Sequence, residues 1–307
     1  MTTPPLLPVG PGSGDAVGTP AAAVATIAPD ETRRKRIRLL FRSPTFVAGL
    51  ILVGIWVVCA ILGDLLAPYD PAGSASDILN KNQPPSSAHW FGTDQIGRDV
   101  LSRVIAGARN ILIIAPAATL LGTVLGTALG LITGFFRGVV DDVISRVIDA
   151  FLSIPLVITG LIALTALGPS TIGVIIVIGL VFTPVIARTV RAAVLAEREL
   201  EYVAAARLRR EGAGHIMFVE ILPNVMGPIL VEFTVRLGYA IFTTATLSFL
   251  GFGVEPSAPD WGLAIFQHYA LLNGGIWWPV LFPALAIASL VVGVNLVADS
   301  VASVFEQ

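Results

Sequence analysis

Charge is what this sequence has least of. Asp, Glu, Lys and Arg make up 13% of its 307 residues, about half the share of an ordinary soluble domain, while 55% are hydrophobic. That balance excludes a water-soluble globule. The formal net charge of -2 offers no basic field to gather nucleic acid, so no nucleic-acid partner is expected. The single cysteine, Cys59, lies in an apolar run, which excludes an internal disulfide and every multi-cysteine metal site. His89, His215 and His268 are the only histidines, too far apart in sequence for a metal-ligand spacing. There are only two lysines, Lys35 and Lys81, and no Gly-x-x-x-x-Gly-Lys-Ser/Thr run, so the chain cannot cradle ATP phosphates in a P-loop. Neither a Gly-x-Ser-x-Gly elbow nor a His-Glu-x-x-His helix is present. No metal, catalytic residue or bound cofactor is therefore expected, and any transport must draw its energy from another polypeptide or an ion gradient.

What the chain does have is long apolar runs. Residues 1–32, rich in Pro, Gly, Ala and Thr with few charges, read as a disordered cytoplasmic tail. Six basic residues follow between Arg33 and Arg42. About 20 apolar residues cross the roughly 30 Å hydrocarbon core as a helix, and six stretches meet that length: about 45–66, 110–135, 146–167, 171–190, 225–249 and 277–297. The expected fold is an all-α integral membrane protein with six transmembrane helices in one domain, 33–307. An even number of spans puts both termini on one side. If that side is the cytoplasm, 14 of the 19 Lys and Arg residues are cytoplasmic, as the positive-inside bias requires. Lys81, Arg98, Arg103 and Arg109 then lie outside and Arg236 within a helix. The expected location is the cytoplasmic (inner) membrane.

Several constellations stand out. Gly122, Gly126, Gly130 and Gly134 recur at spacing four, a strip for close helix packing, either within the chain or at a seam with a second subunit. Asp94 with Arg98 and Asp99 with Arg103, beside Ile96, Val100 and Val104, predict an amphipathic helix over 94–106 on the external surface, merely solvated or part of a gate. Glu232 and Arg236 sit one turn apart in the fifth span. Each charge costs about 2.5 to 3.5 kcal/mol at the bilayer centre, so they should face the bundle interior, as a packing pair or as part of the pathway. Asp149, near the start of the third span, reads as satisfied by snorkelling or by Arg146. Pro116, Pro155, Pro184, Pro228 and Pro283 mark kinks within spans, either merely tolerated or shaping a pathway between helices. The loop 191–224 is longer than a connection needs. It is charged, helical by composition over Ala192 to Arg210, and broken by Gly212 and Gly214, which suits either a docking element or a solvated hairpin.

Three segments carry a resemblance. Phe91 to Arg103 with Gly107-Ala108-Arg109, Thr246 to Val254 with Pro259-Asp260-Trp261-Gly262, and Glu201 to Arg207 leading to Ile221-Leu222-Pro223-Asn224 resemble segments of the C-type permease subunits of dipeptide, oligopeptide and nickel ABC importers. The third resembles their EAA loop. The resemblance implies a type I ABC importer permease architecture with a cytoplasmic coupling helix. It further implies a second homologous permease, two ABC ATPase subunits that hold ATP and Mg, an extracytoplasmic substrate-binding protein, and no catalytic activity in this chain. By position, Glu201, Ala205, Ala206 and Arg207 fall in the loop's first helix and Gly212, Ala213, Gly214 and His215 in its turn and coupling segment. Ala204, Arg210 and Thr244 depart from the family pattern, Arg210 at a position usually held by glycine. The alternative reading of the residues is an ion-coupled carrier using Glu232, Arg236 and Asp149.

Overall fold

The computed structural model describes residues 40–72, 78–168, 170–253 and 257–305; the expected tail 1–32 lies outside them. Nine helices of eight residues or more are found among the described residues: α1 Pro44–Leu66, α2 Val100–Phe135, α3 Val139–Leu152, α4 Leu156–Leu167, α5 Thr171–Glu197, α6 Glu201–Leu208, α7 Met226–Phe249, α8 Trp261–His268 and α9 Trp278–Phe305. Local chemistry sets several of the starts. Ser43 caps α1 by accepting from the Phe46 amide, with Pro44 in the first turn. Asp99 caps α2 through the Ser102 amide at 2.8 Å, Ser170 caps α5 through Gly173 at 3.0 Å, and Asp260 caps α8 through Leu263 at 2.9 Å.

Five helices, α1, α2, α5, α7 and α9, are long and apolar enough to cross a membrane. The expected third span, 146–167, is not one helix. α3 and α4 meet at an 89° bend across Ser153, Ile154 and Pro155. Proline lacks an amide hydrogen and drives its predecessor out of the helical region, so the run breaks there, and only the bent pair taken together makes a sixth span. The remaining expected kinks differ in kind. Pro116, Pro184 and Pro283 lie inside helices, whereas Pro228 sits in the first turn of α7.

α2 and α5 form the spine of the bundle; α1 and α9 pack together beside α2, and α7 closes against α2, α5 and α9. Buried Ile114, Ala118, Ile178, Phe182, Ile186 and Val190 fill the spine. The described parts of the connections 67–99 and 250–277 meet at one end of the bundle, here the signature end. Residues 136–138 and 198–225 form the other, the loop end.

Candidate functional site

The glycine strip makes the spine possible. A Cβ built on Gly126 would stand 2.7 Å from Ile186 Cβ, on Gly130 2.7 Å from Val190 Cβ, and on Gly134 2.7 Å from Val194 Cβ, while on Gly122 it would meet the Gly179 carbonyl at 2.9 Å. The strip is therefore a contact between α2 and α5 within this chain. Where it ends, Arg198 continues the series by donating from Nη1 to the carbonyls of Phe135 at 2.8 Å and Gly134 at 3.2 Å. These carbonyls close α2 and have no later helical amide to accept from, so the guanidinium acts as their cap. Arg191 grips Asp141 of α3 with two bonds of 2.6 Å, a bidentate pairing.

The long loop grows from this anchored base. It is not continuously helical over 192–210: α5 stops at Glu197, and α6 restarts at Glu201. Arg207 lies over the Phe135 ring at 5.7 Å. Tyr202 donates to Glu197 at 2.7 Å, and burial together with that carboxylate pushes its phenol up to about 12. Val203 and Ala206 are buried, while Glu201 and Arg207 are exposed and Ala205 is half-buried. The helix ends in a two-bond C-terminal cap, Glu211 amide to Ala206 carbonyl at 3.2 Å and Arg210 amide to Arg207 carbonyl at 2.9 Å. That geometry forces a left-handed residue, and Arg210 adopts φ 60°. Its side chain makes this costly by about 1 kcal/mol. Arg210→Gly is expected to raise the melting temperature by about 2 to 4 °C, read by thermal unfolding in detergent; a lower value would show the arginine side chain to be structurally required.

Beyond the cap, Gly212, Ala213, Gly214 and His215 lead into a π-helical turn, Ile216–Ile221, and on to Leu222–Asn224. Gly212, Gly214 and His215 are exposed, and nothing stands within 4 Å of a Cβ built on either glycine. Leu208, Phe218 and Val219 are 86%, 57% and 55% exposed nearby. Sequence reading passed over these three because, taken singly, they sit in no periodic pattern. Glu211, His215 and Glu220 gather within 4.8 Å, but the positive charge there is already Arg209, bonded to Glu211 at 2.6 Å and Glu220 at 3.4 Å.

Within the spans, Arg236 donates to Glu232 at 2.6 Å and lies 5.3 Å above the Tyr239 ring. Both side chains are mostly shielded. Glu232→Gln is expected to destabilise the chain by about 2.5 to 3.5 kcal/mol, the cost of a charge left alone at this depth. Glu232→Gln with Arg236→Gln should restore most of the folded yield in membranes; no rescue would mean that the pair has a role beyond mutual neutrality. Asp149 is not held by Arg146 but by Arg188 at 3.6 Å, and both partners are exposed.

At the signature end the structure departs most from expectation. Residues 94–99 are not helical, and Val100 to Ser102, Arg103 and Val104 open the long α2. Asp94 ties a tight turn, accepting from the amides of Ile96 at 3.0 Å and Arg98 at 2.9 Å, and from Arg98 Nε at 2.6 Å. This acid-to-base pair is buried, with exposures of 1% and 8%, rather than laid on a surface. Asp99 bonds Ser102 and His89 instead of Arg103, which donates to the carbonyls of Pro71 and Ala258. Trp261 Nε1 bonds the Val104 carbonyl and Trp278 Nε1 the Thr93 carbonyl, so the two signature segments lock together. Burial raises the Asp260 carboxyl and lowers His268 beside them.

Residues 126–307 match the family described as binding-protein-dependent transport system inner membrane component. Residues 33–85 match the N-terminal TM domain of oligopeptide transport permease C. The chain is similar to the dipeptide transport system permease protein of Escherichia coli, 40% identical over 264 residues that cover 84% of this chain and 87% of the relative. It is also similar to the di/tripeptide transport system permease protein of Pseudomonas aeruginosa, 35% identical over 259 residues, 82% of this chain and 84% of that one. The dipeptide transport system permease protein of Alkalihalophilus pseudofirmus is 34% identical over 266 residues, 87% and 86% of the two chains.

Proposed function

The chain belongs to the family of binding-protein-dependent transport system inner membrane components, and from that premise we propose that it is the peptide-importing permease half-channel whose loop end an ATPase grips. It is a non-catalytic subunit of an ABC importer, and peptides are the cargo class named for its relatives. Its proposed partners are a second homologous permease, two cytosolic ATPase subunits carrying ATP and Mg, and an extracytoplasmic substrate-binding protein. The loop end then lies in the cytoplasm with both termini, and the signature end lies outside.

One observation carries the docking assignment. Leu208, Phe218 and Val219 are exposed around a bare Gly212 to His215 turn in a segment outside every candidate span, so a place in a membrane span does not account for their exposure. Exposed apolar groups of this kind mark a protein contact. Glu201, Ala205, Ala206 and Arg207 supply the helix that ties the turn to α2 through Phe135. Glu232 and Arg236, on the helix face that also presents exposed Tyr239, are proposed to flank the pathway, with Asp149 nearer the cytoplasm.

The test is uptake of a radiolabelled dipeptide by proteoliposomes holding both permeases and the ATPases, with binding protein added. Uptake is expected to require ATP and to survive a protonophore. Accumulation by this chain alone, abolished when the proton gradient is collapsed, would instead establish the ion-coupled carrier, a reading that the relatives do not support.

A further inference from the structure

The crevice between α1 and α2 contains chemistry that the transport reading does not use. The two helices touch at Gly63, where a built Cβ lies 3.6 Å from Ala106 Cα. Two adjoining cavities occupy the opening, and both are bordered by Ala60, Ile61 and Arg109. The upper one, about 300 Å³, has Asp64 and Arg109 on its walls. The lower one, about 640 Å³, is walled by Val53, Val57, Leu112, Ile113 and Ile241. We propose that this crevice binds one zwitterionic phospholipid of the phosphatidylethanolamine kind, its phosphate on Arg109, its ammonium on Asp64 and an acyl chain in the lower cavity.

The charges point to the headgroup. Asp64 and Arg109 are both exposed, and neither side chain has a hydrogen bond or ion pair among the described residues. The neighbouring amide, Asn110, is already committed to the Pro259 carbonyl at 2.8 Å. An unspent guanidinium matches a phosphate, and an unspent carboxylate matches a primary ammonium with three N–H donors. A ligand carrying both satisfies the vestibule at once.

The apolar walls point to the tail and against cargo. Below Arg109 the lining holds no polar side chain, over the eight helical rises from Ile61 down to Val53, a drop of about 12 Å. A peptide there would bury amides without partners, at several kcal/mol each; hydrocarbon needs none. Ile61, 74% exposed at the lip, leaves the crevice open sideways to lipid.

The experiment is retention of lipid by the purified full-length chain, exposed in mild detergent to equal amounts of phosphatidylethanolamine, phosphatidylglycerol and phosphatidylcholine, then washed and weighed intact by mass spectrometry. The wild type is expected to keep one phosphatidylethanolamine, about tenfold over the other two. Arg109→Gln should lower that retention about tenfold, and Asp64→Asn should erase the preference over phosphatidylglycerol; both residues are exposed, so neither change threatens folding. Val57→Trp, which fills the lower cavity, should block retention while the helical circular dichroism signal is kept. Equal retention of all three lipids by the wild type, or undiminished phosphatidylethanolamine in Arg109→Gln, overturns the proposal. So does a dipeptide that displaces the lipid one for one. The readout is bound lipid, so it stands or falls separately from the uptake assay.

Discussion

Gly130→Leu is expected to reduce the folded permease recovered from membranes by more than tenfold and to abolish uptake. Even the first atom of a side chain at that position would stand 2.7 Å from Val190 Cβ and 2.8 Å from the Ala187 carbonyl. The second contact is backbone, which no rotamer change can move aside. Leucine therefore drives α5 away from α2 along the whole strip. In lipid no hydrophobic force pulls the pair back, because association there rests on close van der Waals approach. Gly126→Leu should behave alike, against Ile186 Cβ at 2.7 Å. The control is Gly54→Leu on α1, where nothing lies within 4 Å of the added Cβ; recovery there should match the parent chain. Normal recovery and uptake in Gly130→Leu would show that α2 and α5 are not packed as described.

Gly214→Trp is the second substitution with a large expected effect, and its logic is the reverse. A Cβ built there meets nothing within 4 Å and the position lies outside the left-handed region, so the chain itself should fold and insert as before. Uptake by the assembled importer should nonetheless fall at least tenfold, and the ATPase subunits should no longer co-purify, because an indole would stand between the turn and the ATPase proposed to dock on it. Ala213→Arg should give the same split between intact folding and lost docking. If both variants co-purify with the ATPases and transport normally, the docking surface lies elsewhere on the loop end.

Much of this architecture is legible in the sequence because lipid imposes it residue by residue. Long apolar runs give five spans within a few residues of their ends, apart from α2 and α5, which extend past the apolar window into charged sequence at Val100 and Glu197, and α9, which runs on from the expected 297 to Phe305. The extensions of α2 and α5 are invisible to hydropathy, since Arg103 and Arg191 are held by partners distant in sequence, the Ala258 carbonyl and Asp141. The same limit hid Arg198 as the cap of α2. Asp94 and Arg98 misled for a different reason. An acid four residues before a base stabilises a helix, but an aspartate accepting from the amides two and four residues ahead also closes a turn, and Gly97 at φ 84° selects the turn. Pro155 was visible, yet the 89° bend also needs the neighbouring Ser153 and Ile154 to leave the helix, which composition does not dictate. Arg210 shows the opposite case. Its departure from the family glycine was plain in the sequence, and the structure supplies the reason glycine suits the position.

The glycine strip packs α2 on α5, and at the loop end Arg198 and the Arg191–Asp141 fork tie α2, α3 and α5 to one another. Under the proposed docking, a push on α6 reaches α2, α3 and α5 together through these contacts. With 36 residues, α2 is about 54 Å long, so a tilt of about 5° pivoting at one end sweeps the other through about 5 Å, roughly one helical turn. Under the proposed orientation, the length of this helix would therefore set how far the signature end travels for a given push at the loop end.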